Sequence, residues 1–203
     1  MDISQQDRER ISRAVRAVEE KTSGEIVCVL AQSSVGTTML PVSIAAIAAL
    51  ATPWLLVALT AMPVYRILSL QLLAFVLALL FFSIPRVQLA LLPRKMQRRM
   101  AYRAAMEQFT IRGIAGKNDR CGILIFVSLA ERYARIIADD GIAAKVPHSA
   151  WQAAVDELVA HAKRDEIING FSAAIDLCGI ELATHFPRAA RKTDELPDRL
   201  YLI

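Results

Sequence analysis

The run CGILIFVSLAERYARIIA at positions 121–138 decides the fold class. Cys121–Ser128 is an almost unbroken apolar stretch of strand length, and Arg132–Ala138 is a second. The link Leu129–Glu131 is too short for a helix, so the two read as an antiparallel hairpin. An apolar run without alternation is what a strand covered on both faces needs. Glu25–Ala31 (EIVCVLA) has the same character. Helical patterns flank these strands. Ser4 can cap a first helix, with Asp7 in the position of a capping box. Ile11, Ala14, Val15 and Val18 then recur at helical spacing to about Lys21, before Thr22, Ser23 and Gly24 break the pattern. Pro93 to about Arg112 reads as a basic helix. Trp151, Ala154, Val155, Leu158 and Ala162 mark another. Phe171, Ala174, Ile175, Cys178 and Leu182 mark a last one, ended by Pro187. The expected class is α/β, a mixed sheet covered by helices.

The composition adds a second component. The chain has 203 residues, 55% of them hydrophobic and 22% charged. Its mean hydropathy of +0.37 is too high for an ordinary soluble domain. Disorder is excluded by the same excess, and three Cys do not make a disulfide framework. The excess sits in one place, because no charged residue occurs between Glu25 and Arg66. Pro41–Met62 is a run of 22 residues, 15 of them Ala, Leu, Ile or Val. As a helix it spans about 33 Å at roughly 1.5 Å per residue, enough for a bilayer core. Ile67–Ile84 is a second uncharged run, of 18 residues, of which 13 are Leu, Ile, Phe or Val. Those 13 contribute about −4 to −8 kcal/mol to insertion, so insertion is favourable. Pro63, Val64, Tyr65 and Arg66 are all that separate the runs, and they predict a tight transmembrane hairpin. Pro53 is expected to kink the first span. The domains expected are a discontinuous soluble one, 1–39 with 86–203, and the hairpin, 40–85. The apolar run begins too late for a secretory signal peptide, so none is expected.

The charge pattern predicts sidedness. The hairpin loop carries one basic residue, Arg66, whereas Arg86, Arg94, Lys95, Arg98, Arg99 and Arg103 follow the second span with no acid before Glu107. The positive-inside rule then puts both termini and the soluble domain in the cytoplasm, with two spans in the inner membrane. Three thiols agree with a reducing compartment. Usage rich in Ala and Arg suggests a bacterial source. Net charge is +4, so outside residues 86–103 the chain is net acidic. Basic residues beside a span are suited to anionic lipid headgroups, at roughly 1 kcal/mol each. Arg94, Lys95, Arg98, Arg99 and Arg103 are the candidates, and no nucleic-acid partner is expected. Because the hairpin interrupts the chain after the first strand, the C-terminal end of that strand is expected to face the bilayer. Ligands commonly bind at that edge of open α/β sheets.

The residues that suggest chemistry are acids at strand ends. Asp119 precedes one strand and Asp139 and Asp140 follow the next, which a hairpin brings together. Glu25 can join them if its strand is suitably oriented. Carboxylates converging on one loop cluster suit Ca²⁺ or Mg²⁺, hard cations that take oxygen ligands. The competing reading is turn chemistry, since Asp before Gly closes turns through its own side chain. Arg120 and Lys145 can meet an anion nearby, or can be solvated surface charge. His148, His161 and His185 are far apart and read as surface or capping residues. Cys28, Cys121 and Cys178 fall at apolar positions and read as small buried hydrophobes. No phosphate-binding loop, dinucleotide fingerprint or serine-hydrolase elbow is present.

Several of these stretches resemble the TPM domain, a family named from a thylakoid-lumen phosphatase-like protein. They are Ser23–Val29, Asp119–Ser128, Arg135–Ile142, Trp151, Gly170–Gly179 and Glu195–Pro197. The likeness is to a bacterial membrane branch with an inserted two-helix hairpin. It implies an α/β/α sandwich. Members have been linked to photosystem repair, acid phosphatase activity, calcium binding and membrane-complex assembly. The acidic N-terminal turn typical of exported members is not evident here. Two functions are therefore expected to compete. One is a non-enzymatic membrane-anchored module that binds a membrane-protein partner or assists assembly or maintenance of a membrane complex. The alternative is a metal-dependent acid phosphatase. The lack of a recognisable nucleophile favours the first.

Overall fold

The computed structural model describes residues 3–34, 39–114, 121–188 and 199–203. The chain forms two compact units, Met1–Ser34 with Met100–Ile203, and Val35–Arg99. In chain order the elements are α1 (Gln5–Glu19), β1 (Glu25–Ala31), α2 (Met39–Leu59), α3 (Val64–Phe82), α4 (Pro85–Leu91), α5 (Arg94–Ile111), β2 (Gly122–Ser128), β3 (Tyr133–Ala138), α6 (Asp140–Ala143), α7 (Ala150–Ala162), α8 (Ile167–His185) and β4 (Leu200–Leu202).

In the larger unit the sheet order is β3-β2-β1-β4. β1 runs parallel to β2 and β4, and β2 runs antiparallel to β3, so the sheet is mixed. The unbroken apolar runs are explained by cover on both faces. Ile26, Cys28, Leu30, Ile123, Ile125 and Val127 face one core, shared with α1, α7 and α8. Val27, Val29, Ala31, Leu124 and Phe126 face the other, with Ala105 and Phe109 of α5. The architecture is thus an α/β/α sandwich. α1 starts as its sequence suggests. Ser4 Oγ accepts the Asp7 N–H at 3.1 Å, and the Ser4 N–H donates to Asp7 Oδ2 at 3.3 Å. α1 and α8 approach closely because position 179 is Gly. A Cβ there would lie 2.7 Å from Val18 Cγ1.

Three details differ from expectation. β3 begins at Tyr133 because Arg132 has φ +50°, a left-handed turn residue. A one-turn helix, α6, follows β3, capped by Asp139. β4 was not expected. It is held beside β1 by Ile203 N–H to Leu30 O at 3.1 Å and Gln32 N–H to Ile203 O at 2.9 Å.

The smaller unit contains two long apolar helices, α2 and α3, packed on each other. The break between them is Thr60–Pro63, earlier than the Pro63–Arg66 expected. Pro63 is the N-cap of α3, so Tyr65 and Arg66 fall in its first turn. The preceding residue is steered out of helix by the Pro ring. α2 runs unbroken through Pro53. Large apolar side chains lie exposed around both helices, Trp54 at 81%, Leu59 at 73% and Leu72 at 65%. This unit also takes in α4 and the start of α5, wider than the uncharged runs. The buried Gln97 amide donates to Leu89 O at 2.7 Å and Leu92 O at 2.9 Å, tying that turn together.

Candidate functional site

The strand register brings some of the candidate acids together. Glu25 pairs with Gly122, and the Asp139 N–H donates to Gly122 O at 2.9 Å. Glu25, Gly122 and Asp139 therefore share the end of the sheet at which β1 and β2 begin. Asp119 lies outside the described residues, as does Arg120. Asp139 is buried, and its Oδ1 accepts the Asp140 N–H at 2.7 Å, so one oxygen caps α6. Its Oδ2 has no hydrogen-bond partner among the described residues. Asp140 is exposed in the first turn of α6, and Glu25 is buried at the start of β1. Among the described residues no group of three His, Cys, Asp or Glu side chains gathers that could hold a metal ion.

The opposite end of the parallel strands carries a polar cluster that sequence reading missed. Ser128 ends β2 and Glu131 follows in the link to β3, and both are buried. The Glu131 carboxylate accepts from Ser33 Oγ and from the Ser34 N–H, each at 2.9 Å, and from Ser128 Oγ. Ser34 Oγ donates to Ser128 Oγ at 2.9 Å. Backbone bonds run alongside, Leu129 N–H to Ala31 O at 3.0 Å and Ala130 N–H to Gln32 O at 3.1 Å. A serine beside a carboxylate can act as a nucleophile with its base. Here Ser128 is fully buried and the carboxylate is already engaged by three donors. The cluster fastens the chain leaving β1 to the β2–β3 link. The available signal was the Ser-x-x-Glu spacing of 128–131 together with two serines just past β1.

Arg94, Lys95, Arg98, Arg99 and Arg103 are all exposed on α5, over about half its circumference at roughly 100° per residue. None of the five forms an ion pair among the described residues. Gln97, Ala101 and Ala105 occupy the buried side of the same helix. The histidines are dispersed. His161 Nδ1 meets Glu166 Oε2 at 2.8 Å, joining the end of α7 to the start of α8, and that contact pulls the Glu166 carboxyl below its ordinary range. His185 lies 3.9 Å from Glu181, and His148 is exposed. Lys145 stands over the Phe186 ring at 4.7 Å. Cys28 and Cys178 are buried, and burial raises the Cys28 thiol far above its ordinary value.

The strand pair β2–β3, with α5 and α7 on opposite faces, falls in a stretch that matches a family model. Residues 90–179 match the TPM domain. The TPM match runs from α4 to Gly179 in α8. It takes in the Asp119–Ser128, Arg135–Ile142, Trp151 and Gly170–Gly179 stretches. It does not reach Ser23–Val29 or the pair α2–α3. The Glu195–Pro197 stretch lies beyond it and outside the described residues. No curated protein matches the chain. The fold is similar to the NMR structure of BA42 from the psychrophilic bacterium Bizionia argentinensis. That likeness has TM-score 0.62 and 17% identity, and covers 100% of this chain and 96% of that one. At such identity it speaks to the fold alone.

Proposed function

We propose that this chain is a membrane-anchored TPM-like module. In this reading α2 and α3 cross the bacterial inner membrane as a hairpin. The α/β unit stays in the cytoplasm, where it binds a membrane-protein partner and supports assembly or maintenance of a membrane complex. The observation that carries the reading is the apolar surface of the hairpin. In Pro41–Leu59 and Val64–Phe82 only 11% and 6% of the residues are buried, and each helix is long enough to span. Soluble proteins do not leave apolar faces of that extent in water. Ile167–His185 is a third helix of sufficient length and hydropathy. Its Phe171, Ala174, Ile175, Cys178 and Leu182 are spent on the core with the sheet, which favours two spans over three. The single Arg66 at the hairpin turn, against the basic run on α5, supports cytoplasmic termini. Arg94, Lys95, Arg98, Arg99 and Arg103 are free to meet anionic headgroups.

The test is extraction. Membranes from cells making the full chain are washed at alkaline pH, and the chain is followed by blot. It should stay in the pellet and leave only with detergent. Recovery in the wash would overturn the anchoring. Cross-linking before mild solubilisation should then retain a membrane protein. A metal-dependent phosphatase is the weaker reading. The described residues do not by themselves make a Ca²⁺ or Mg²⁺ site, and Asp139 already spends one oxygen on α6. Asp139→Asn can keep that cap, so hydrolysis lost in a folded Asp139→Asn chain would revive it.

A further inference from the structure

β3 is an edge of the sheet, with β2 on one side only. The bond from Asp139 N–H to Gly122 O sets the alternation of the antiparallel ladder. It turns the N–H and C=O of Ala134, Ile136 and Ala138 away from β2. None of these groups bonds to another element among the described residues. A cavity of about 230 Å³ lies along this edge. Its walls come from both faces of the sheet. Arg135, paired with Phe126, and Tyr102 of α5 stand on one side, while Ile136, Val146 and Trp151 of the other core stand opposite. A cavity lined from both faces is a slot around the edge itself, between α5 and α7.

The charge of the slot is one-sided. The Arg135 guanidinium sits 4.8 Å from the Tyr102 ring centroid and has no carboxylate partner among the described residues. His148 lies at the rim, and no Asp or Glu among the described residues lines the cavity. We propose that β3 is a docking edge for an extended acidic segment of a partner protein. The segment adds a fifth strand to the sheet and places a carboxylate on Arg135. Main-chain bonds to Ala134, Ile136 and Ala138 supply the pairing, and the aromatic slot accepts alternate side chains. The edge from Ala134 to Ala138 is about 17 Å at roughly 3.3 Å per residue, and Ile136 at its centre is only 2% exposed, so about five residues of partner suffice once the slot parts around them. The inference deepens the partner-binding role proposed above and rests on it.

The test uses the full chain in detergent micelles carrying Trp54→Phe, which leaves Trp151 as the one tryptophan. The probe is a capped five-residue peptide alternating valine and glutamate. Trp151 emission should change saturably with it and not with the valine–lysine counterpart. Methylating the peptide nitrogens that face the ladder should abolish the change. Arg135→Gln should weaken binding about tenfold, the loss of one charge-assisted bond. Ala134→Pro removes an N–H that the β2 ladder does not use, so it should fold and not bind. If it fails to fold, the methylated peptide and Arg135→Gln still decide. Silence of the wild-type chain, equal binding of the lysine peptide, or equal binding of the methylated peptide would overturn the proposal. So would a wild-type dimer that Ala134→Pro converts to monomer, because a second copy would then own the edge. Failure here leaves the alkaline extraction result untouched, and the reverse holds.

Discussion

Glu131→Ala should destabilise the α/β unit by about 2–4 kcal/mol, and the structure says where that comes from. The carboxylate accepts from Ser33 Oγ, the Ser34 N–H and Ser128 Oγ. Ser33 is exposed, so water replaces its lost acceptor. Ser128 is fully buried and Ser34 is half-buried, so their donors are orphaned. Each orphaned donor costs about 1–3 kcal/mol. Ser128 can partly recover by turning to Ser34 Oγ, which trims the upper end. For a unit of this size, about 2–4 °C per kcal/mol converts the loss into a Tm drop of roughly 5–15 °C. Far-UV circular dichroism of the full chain in micelles reads it. Glu131→Gln keeps a carbonyl acceptor and should cost about half as much. A drop below about 2 °C for Glu131→Ala would refute the view that this carboxylate holds β1 to the β2–β3 link.

Three further outcomes follow from the packing and the charges. Gly179→Ala places a Cβ 2.7 and 2.8 Å from the two Val18 methyls, which a stiff β-branched side chain cannot clear. It should cost about 1–3 kcal/mol in denaturant melts, and Val18→Ala should restore most of that if the clash is the cause. The Glu166 carboxyl is held below its ordinary range chiefly by the hydrogen bond from His161. Its stabilisation is therefore full above the ordinary glutamate range and is lost as pH falls through the depressed value. The stability gap between wild type and Glu166→Gln should close in acid, and a gap that persists to the lowest pH would contradict it. Cys28 and Cys178 are buried whereas Cys121 is half-buried. A maleimide should label Cys121 alone in the native chain and all three in denaturant, as mass spectrometry reads.

Legibility in the sequence followed how local each signal is. β1, β2 and β3 were readable because each is a short apolar run bounded by Gly or polar residues. β4 was not, since Leu200–Leu202 has no pattern of its own and exists through its bonds to Leu30 and Gln32. The helical hairpin was readable from absent charge, but its break moved by three residues because Pro63 starts α3 rather than following α2. The β2–β3 hairpin predicted that Asp119 meets Asp139 and Asp140, whereas Glu25 reaches that end only through the parallel register of β1 on β2, which its own sequence does not set. That Asp139 caps α6 depended on a single helical turn too short to leave a period. The Ser33–Ser34–Ser128–Glu131 cluster joins groups almost a hundred positions apart, and the local Ser-x-x-Glu spacing of 128–131 does not say that Ser33 and Ser34 meet it. The slot beside β3 needed the sheet order, which places β3 at an edge.

The most direct test of the account is the sidedness of the hairpin turn. Met62 lies in the break between α2 and α3 and is 41% exposed. A Met62→Cys chain in intact cells is treated with a membrane-impermeant maleimide, with Cys121 as the internal reference. The account predicts that Met62→Cys labels from outside while Cys121 labels only after lysis. Labelling of Cys121 in intact cells, or protection of Met62→Cys until lysis, would contradict a hairpin that crosses the membrane with the α/β unit in the cytoplasm.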